Sequence, residues 1–530
     1  MGEPYVVTAR ATLTGDGLSV ARFTEQAAAT GVGVAFSGGG TRAAVTAMGV
    51  LRALEHLGYL PQIRAISAVS GGAWFSVPFT YLPPSHDERV FLGTHLSDPG
   101  ALRWRRGDAP EAIDSVTPGS FLEAASCFEL GARGLLKGMQ EDRLAGVPSD
   151  RVWTRRVSEA LLRRYGLCEY DDAHAAADFF AADAQAAAAI QRESPALAGR
   201  TCHVVRTSDA MPRPFLIVNG ALRVRAEGGE EVLAPVQFTP SFSGVMGAGI
   251  GTLDGREVGG GGVSSYAFDG EWIAGAPGAM QIRQRAPMSL CDILGVTSVY
   301  YADLLGDHDF HLLSPTYTYA SPLWTPPAGA RGVYVDGGSV ESTGVANLLS
   351  YGDIDRVIAV VSSPAALERR GDDIVVERQV GSLFGIREWN QKHGGYARYD
   401  APGEGNPDYA HNQVFAAADG EFLALTRAMG AREAAGEPIV VEQTLRVVDN
   451  PKYAVTGGRR VRVLWLLLSP AARWRAALHP AVSLRIPPSF PNIPTAITRP
   501  PRGHVHALAQ FAGWAMEQRA DALARLFAAG

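Results

Sequence analysis

The stretch Val32–Leu54, VGVAFSGGGTRAAVTAMGVLRAL, sets three glycines, Gly38, Gly39 and Gly40, between a short apolar run and a helix-period pattern. Glycines at such a junction leave backbone N–H groups uncovered, and with a helix N-terminus those groups form a site for negative charge. That charge could be a phosphate or the oxyanion of an acyl transfer; a tight turn alone would use the same residues. No Gly-Lys-Ser/Thr follows, so the loop is not a Walker A motif, and G-x-G-x-x-G is absent. Arg42 stands in the first helical turn, where a cation meets the positive end of the helix dipole. That mild local cost points to a functional reason for the guanidinium.

Two further stretches carry possible chemistry. In ISAVSGGAWF, Ile66–Phe75, Ser70 lies between a β-branched run and two glycines. This is the shape of a nucleophile elbow, G-x-S-x-G, with Ala68 in place of the first glycine; a helix N-cap serine would look similar. In GVYVDGGSVESTG, Asp336 ends an apolar run before Gly337 and Gly338. An aspartate there is commonly a turn residue, and less often a catalytic one. His308 and His311, in GDHDFHLLSP beside Asp307 and Asp309, are the alternative base or a metal cluster. Asp-His turns are mostly solvated loops, and a Ser-His-Asp hydrolase needs the intact G-x-S-x-G that this chain lacks. No metal or cofactor is expected.

The elements that position these residues follow from periodicity. Val32–Phe36 and Ile63–Val69 read as buried strands, Thr41–Leu57 and Gly71–Leu82 as the helices after them. Strand–helix–strand–helix in so short a span is the pattern of a parallel sheet. Further strands are expected at Thr201–Val205, Pro214–Leu222, Gly332–Val335, Arg356–Ser363 and Val461–Pro470. Helices are expected at Arg155–Tyr165, Ala173–Ile190 and His504–Phe527. Leu253–Tyr266 reads as a flexible loop, residues 366–460 as polar and surface-laid, and Pro487–Gly503 as a proline-rich connector.

Composition bounds the rest. The chain has 530 residues, 46% apolar and 19% charged, with net charge −6. It is a globular protein without global attraction to nucleic acid or an anionic membrane. Its four cysteines form no CxxC pair, which fits a reducing compartment. The N-terminus lacks the pattern of a signal peptide, and the best apolar run, VRVLWLLLSP, is short of the ~20 residues a bilayer span needs. A cytoplasmic location is the expectation.

The three stretches together resemble the patatin-like and cytosolic phospholipase A2 superfamily, on SGGGTRA (Ser37–Ala43), VSGGAW (Val69–Trp74) and VDGG (Val335–Gly338). Trp74 and Arg42 favour its cytosolic phospholipase A2 and lysophospholipase branch. RPFLIVNGAL, VQFTPSFSG, MSLCDILGVTS, VRVLWLLLSPAARW and FPNIPT extend the likeness over most of residues 31–527. The resemblance implies a three-layer α/β/α fold with a central, mainly parallel sheet and lid or cap insertions. An N-terminal extension (1–30) would precede one catalytic domain (31–530), with its core at 31–82 and 201–365, an insertion at 83–200 and a completing part at 366–530. It further implies Ser70 as nucleophile, Asp336 as base, Gly38, Gly39 and Gly40 as oxyanion donors, and Arg42 and Gly71 at the substrate. The implied activity is hydrolysis of fatty-acyl esters of glycerophospholipids or lysophospholipids, with transient, peripheral membrane contact. Acyl transfer to an alcohol on the same dyad, and a lipid-binding protein on an inactive scaffold, are the alternatives. The branch carries arginines soon after its Asp-Gly strand, whereas here LLSYGDID has none until Arg356.

Overall fold

The computed structural model describes residues 3–24, 30–105, 111–113, 117–127, 137–138, 140–142, 144–170, 175–300, 313–400, 407–417 and 420–528. Apolar runs that do not alternate become strands buried on both faces. The main strands are β1 (Ala11–Leu13), β2 (Val32–Phe36), β3 (Ile63–Val69), β4 (Phe215–Arg225), β5 (Glu231–Phe238), β6 (Phe242–Val245), β7 (Gly261–Ser264), β8 (Thr316–Tyr319), β9 (Ala330–Asp336), β10 (Arg356–Val361), β11 (Ile439–Arg446) and β12 (Arg460–Leu467). They lie side by side in the order β1-β7-β6-β5-β4-β3-β2-β10-β12-β11, with β9 added to β4 and β8 to β9.

The sheet is mixed rather than mainly parallel. Strands β4, β3, β2, β10 and β12 run parallel. The β5–β7 flank, β1, β9 and β11 pair antiparallel. The reason is connection length: β4 returns as β5 through the short turn around Gly228 and Gly229, and a parallel return needs a crossover of a dozen or more residues.

Alternate residues of the central strands feed two separate cores. Val34, Phe36, Ile66, Ala68, Leu216 and Val218 pack in one, with α1 (Gly40–His56), α2 (Gly71–Tyr81) and residues of Leu290–Thr297, here α3. Ala35, Ala65, Ile217 and Val357 pack in the other, with α4 (Val345–Leu349) and α5 (Glu421–Ala434). A further helix, α6 (Arg502–Glu517), lies so close to α1 that a Cβ at Gly49 would overlap the Ala509 carbonyl.

Four further sequence expectations need correction. Within Ala173–Ile190, Phe179–Ala181 is a strand paired with Cys202–Val204, and the helix is Ala184–Glu193. Asp183 starts it by accepting the Ala186 amide at 2.7 Å, an N-cap bond. Inside Leu253–Tyr266 the glycines make β7, and β6 approaches it closely: a Cβ at Gly244 would lie 2.4 Å from the Gly261 carbonyl oxygen and from Gly262 Cα, which only glycine permits. Residues 366–460 are not merely surface-laid, since Phe384, Phe415 and Phe422 are buried in the second core. The final helix is two, breaking at Gln518–Arg519 before Ala520–Phe527. Among the described residues no helix is long and apolar enough to cross a membrane.

Candidate active site

The site is built on one edge of β4. Strand β3 runs parallel along it and ends with Val69 opposite Asn219. Strand β9 runs antiparallel along the same strand and ends with Asp336 opposite Gly220. The two therefore meet head-on at neighbouring residues of β4, which brings together side chains 266 positions apart in sequence. Ser70 Oγ lies 2.9 Å from Asp336 Oδ2. Both residues are buried, with Ser70 6% and Asp336 3% exposed.

Ser70 turns sharply out of β3 into α2 with φ 49° and ψ −120°, a region that disfavours side-chain-bearing residues and stores roughly 1–3 kcal/mol of strain. Its amide is held by Thr297 at the end of α3: Ser70 N donates to Thr297 Oγ1 at 2.9 Å, and that hydroxyl donates to the Asn219 carbonyl at 2.5 Å. The Asn219 side chain in turn donates to Ser67 Oγ and the Ala68 carbonyl. On the other side, Asp336 Oδ1 accepts the Gly338 amide at 2.7 Å, which leaves Oδ2 facing the serine. Gln379 fastens this turn, donating to the Gly338 carbonyl at 2.9 Å and accepting from the Ser342 amide.

The glycine loop faces the same point. Gly38 N donates to the Ser342 carbonyl at 2.9 Å, so this amide is already engaged. Among the described residues the Gly39 and Gly40 amides have no acceptor. Gly39 and Gly40 have φ 139° and 58°, conformations that glycine adopts without a Cβ penalty. Gly40 also opens α1, so its amide sits at the positive end of that helix. Gly71 does not line the cleft as an open surface. It crosses the glycine loop backbone to backbone, where a Cβ would overlap the Gly40 carbonyl and lie 2.5 Å from its amide nitrogen.

Arg42 curls back onto Gly39, its Nη2 lying 2.5 Å from where a Gly39 Cβ would be. Its guanidinium donates to the Ser362 carbonyl (3.0 Å), the Ile493 carbonyl and Thr495 Oγ1 (3.2 Å). The fork is thus committed to protein oxygens and ties the glycine loop to the end of β10 and to the FPNIPT turn. Burial lowers its pKa to about 10, against the pull of Glu377, so it remains a cation at neutral pH.

These groups line a cleft of about 710 Å³. Ser37, Gly38, Gly39, Arg42, Ser70, Asp336 and Thr495 belong to its wall, and so do Arg223, Glu231, Glu377, Arg378, Asp408 and Tyr409. Burial raises the Glu377 carboxyl above its ordinary range and pushes the Tyr409 phenol up to about 12. His308 and His311 lie outside the described residues. Sequence reasoning did not single out Thr297, Gln379 or Ser342, whose contacts join segments tens to hundreds of residues apart.

No protein-family model matches this chain, and no curated protein matches it. Its structure is similar to that of human GIVD cytosolic phospholipase A2. The TM-score is 0.45 at 13% identity, covering 94% of this chain and 59% of that one. The same human protein in complex with methyl gamma-linolenyl fluorophosphonate gives 0.41 at 12% identity, covering 95% and 59%. This chain thus spans 59% of the length of the chains it resembles.

Proposed function

We propose that the chain is a serine acyl hydrolase acting on fatty-acyl esters of glycerophospholipids or lysophospholipids. The observation that carries this reading is the 2.9 Å contact between Ser70 Oγ, in its strained turn, and Asp336 Oδ2, with the Gly39 and Gly40 amides of the glycine loop lacking an acceptor among the described residues. Ser70 Oγ attacks the acyl carbon while its proton passes to Asp336 Oδ2. The carbonyl oxygen becomes an oxyanion against the Gly39 and Gly40 amides, each such donor contributing roughly 3 kcal/mol of barrier lowering. Collapse of the tetrahedral intermediate expels the alcohol, which takes the proton from Asp336. Water then attacks the acyl-serine with Asp336 again as base, releasing the fatty acid.

Arg42 contributes charge to the oxyanion loop, while the polar wall of Arg378, Glu377 and Asp408 suits a charged head group. In this reading the described residues between 83 and 200 cap a three-layer α/β/α scaffold. The test is fatty-acid release from a phosphatidylcholine and its lysophospholipid by the wild type, Ser70→Ala and Asp336→Asn. The expected outcome is activity in the wild type and none in either variant, with Ser70 labelled by a fluorophosphonate. Full activity in Asp336→Asn would overturn the dyad; an unlabelled Ser70 and an inert wild type would overturn the enzyme reading.

A further inference from the structure

Between Asp449 and Glu517 the chain carries no Asp or Glu, against nine Lys and Arg, in a protein whose net charge is −6. Part of that charge is internally paired. Arg473 meets Glu437 at 2.8 Å, and Arg475 donates to the carbonyls of Ser483, Ile486 and Pro487. Arg485, Arg499 and Arg502 are exposed. Two large apolar side chains lie exposed among them, Leu484 at 86% and Ile497 at 45%.

Contacts join part of this set. The Arg485 guanidinium stands 5.4 Å over the Trp104 ring, and the Arg485 carbonyl lies 3.4 Å from His504 Nε2 in the first turn of α6. Ile497 is two residues from Thr495, which lines the cleft and bonds Arg42. An exposed leucine followed by an arginine that stacks on tryptophan, with no carboxylate in the segment, is the composition of an interfacial anchor.

We propose that this face, Leu484, Arg485, Ile497, Arg499 and Arg502 with Trp104, docks the protein on a bilayer surface containing anionic phospholipid. Leu484 and Ile497 enter the head-group boundary, the arginines meet lipid phosphates, and the cleft wall at Thr495 is brought to the membrane. The purpose of docking rests on the ester-hydrolase reading, but binding is measured without turnover. Each cation near an anionic leaflet strengthens binding about fivefold, so three give roughly a hundredfold.

The experiment is co-sedimentation of the full chain with vesicles of phosphatidylcholine containing roughly 30 mol% phosphatidylserine, and with pure phosphatidylcholine. The expected result is preference for the anionic vesicles, weakened at least about tenfold as salt rises and the screening length shortens. Arg485→Glu/Arg502→Glu and Leu484→Asp should each lose at least about tenfold in binding. Circular dichroism and hydrolysis of a dispersed short-chain ester should stay unchanged. Equal binding to both vesicle types, or variants that bind like the wild type, would overturn the proposal. So would heparin or RNA binding that exceeds vesicle binding and ignores Leu484→Asp, which would mark a general polyanion surface. A protein that binds but hydrolyses nothing keeps the docking face and loses the enzymatic reading; one that hydrolyses but does not bind does the reverse.

Discussion

Replacing Thr297 by valine tests how the reactive serine is held. Valine matches threonine in shape, so the change removes one hydroxyl and little volume. The Ser70 amide, buried and donating to Thr297 Oγ1 at 2.9 Å, would lose its acceptor. An unsatisfied buried donor costs about 1–3 kcal/mol, comparable with the roughly 1–3 kcal/mol of strain in a backbone conformation such as that of Ser70. With that bond gone, the strained turn has less to oppose relaxation. A shift of about 2 kcal/mol against the productive conformer lowers its population by roughly thirtyfold. The expected outcome is a fall in kcat of about 10- to 100-fold with KM within about threefold, since no group in the cleft wall changes. Fluorophosphonate labelling of Ser70 should slow in parallel, and Thr297→Ser should restore both. The reasoning fails if Thr297→Val loses stability while kcat and labelling hold, or if Thr297→Ser is as slow as Thr297→Val.

Other perturbations give separable outcomes. Gly71→Ala forces a methyl into the Gly40 backbone, which moves an oxyanion amide; kcat should drop by about 10²–10³, whereas Gly15→Ala, in open space, should leave kcat unchanged. Arg42→Lys keeps the charge but loses the fork that binds Ser362, Ile493 and Thr495, so denaturant unfolding should show a loss of about 2 kcal/mol or more. Burial lowers the pKa of His506 from 6.5 to about 4. Below pH 6.5 the unfolded chain takes up this proton and the folded one does not, so stability falls as pH drops toward about 4 and is unaffected by this group above pH 6.5. Across that window the loss is about 3 kcal/mol, and unfolding of His506→Gln should show a flatter acid limb.

The parts of the fold that were legible in sequence are those governed by local pattern. Ile63–Val69 is a strand with the bounds its apolar run suggests, and the helices after Gly39 and Ser70 begin at Gly40 and Gly71, within a residue of their expected starts. What was not legible depended on distant backbone. The Gly261–Ser264 strand is glycine-rich because a Cβ at Gly261 would meet the Thr12 carbonyl and one at Gly262 the Ser243 carbonyl, a fact that periodicity cannot carry. Alanine abundance hid the Phe179–Ala181 strand, although Asp183 before the alanine run was a usable helix-start signal. Within the site, Ser70 and Asp336 stood out by their glycine neighbours. The engagement of the Gly38 amide by Ser342, and of the Arg42 fork by Ile493 and Thr495, required the folded chain.

The head-on meeting of β3 and β9 along β4 makes that one strand the ruler of the site. The serine and the aspartate share no loop; each is placed by counting ladder positions to Asn219 and Gly220. Lengthening the connections between Leu82 and Pro214, or between Val245 and Ala330, leaves that count untouched. A single residue inserted within Phe215–Gly220 slips one ladder against the other and turns alternate side chains to the opposite face. The chain can thus vary widely in the insertions that shape what reaches the cleft, while six residues of β4 hold the spacing of the pair on which any chemistry there depends.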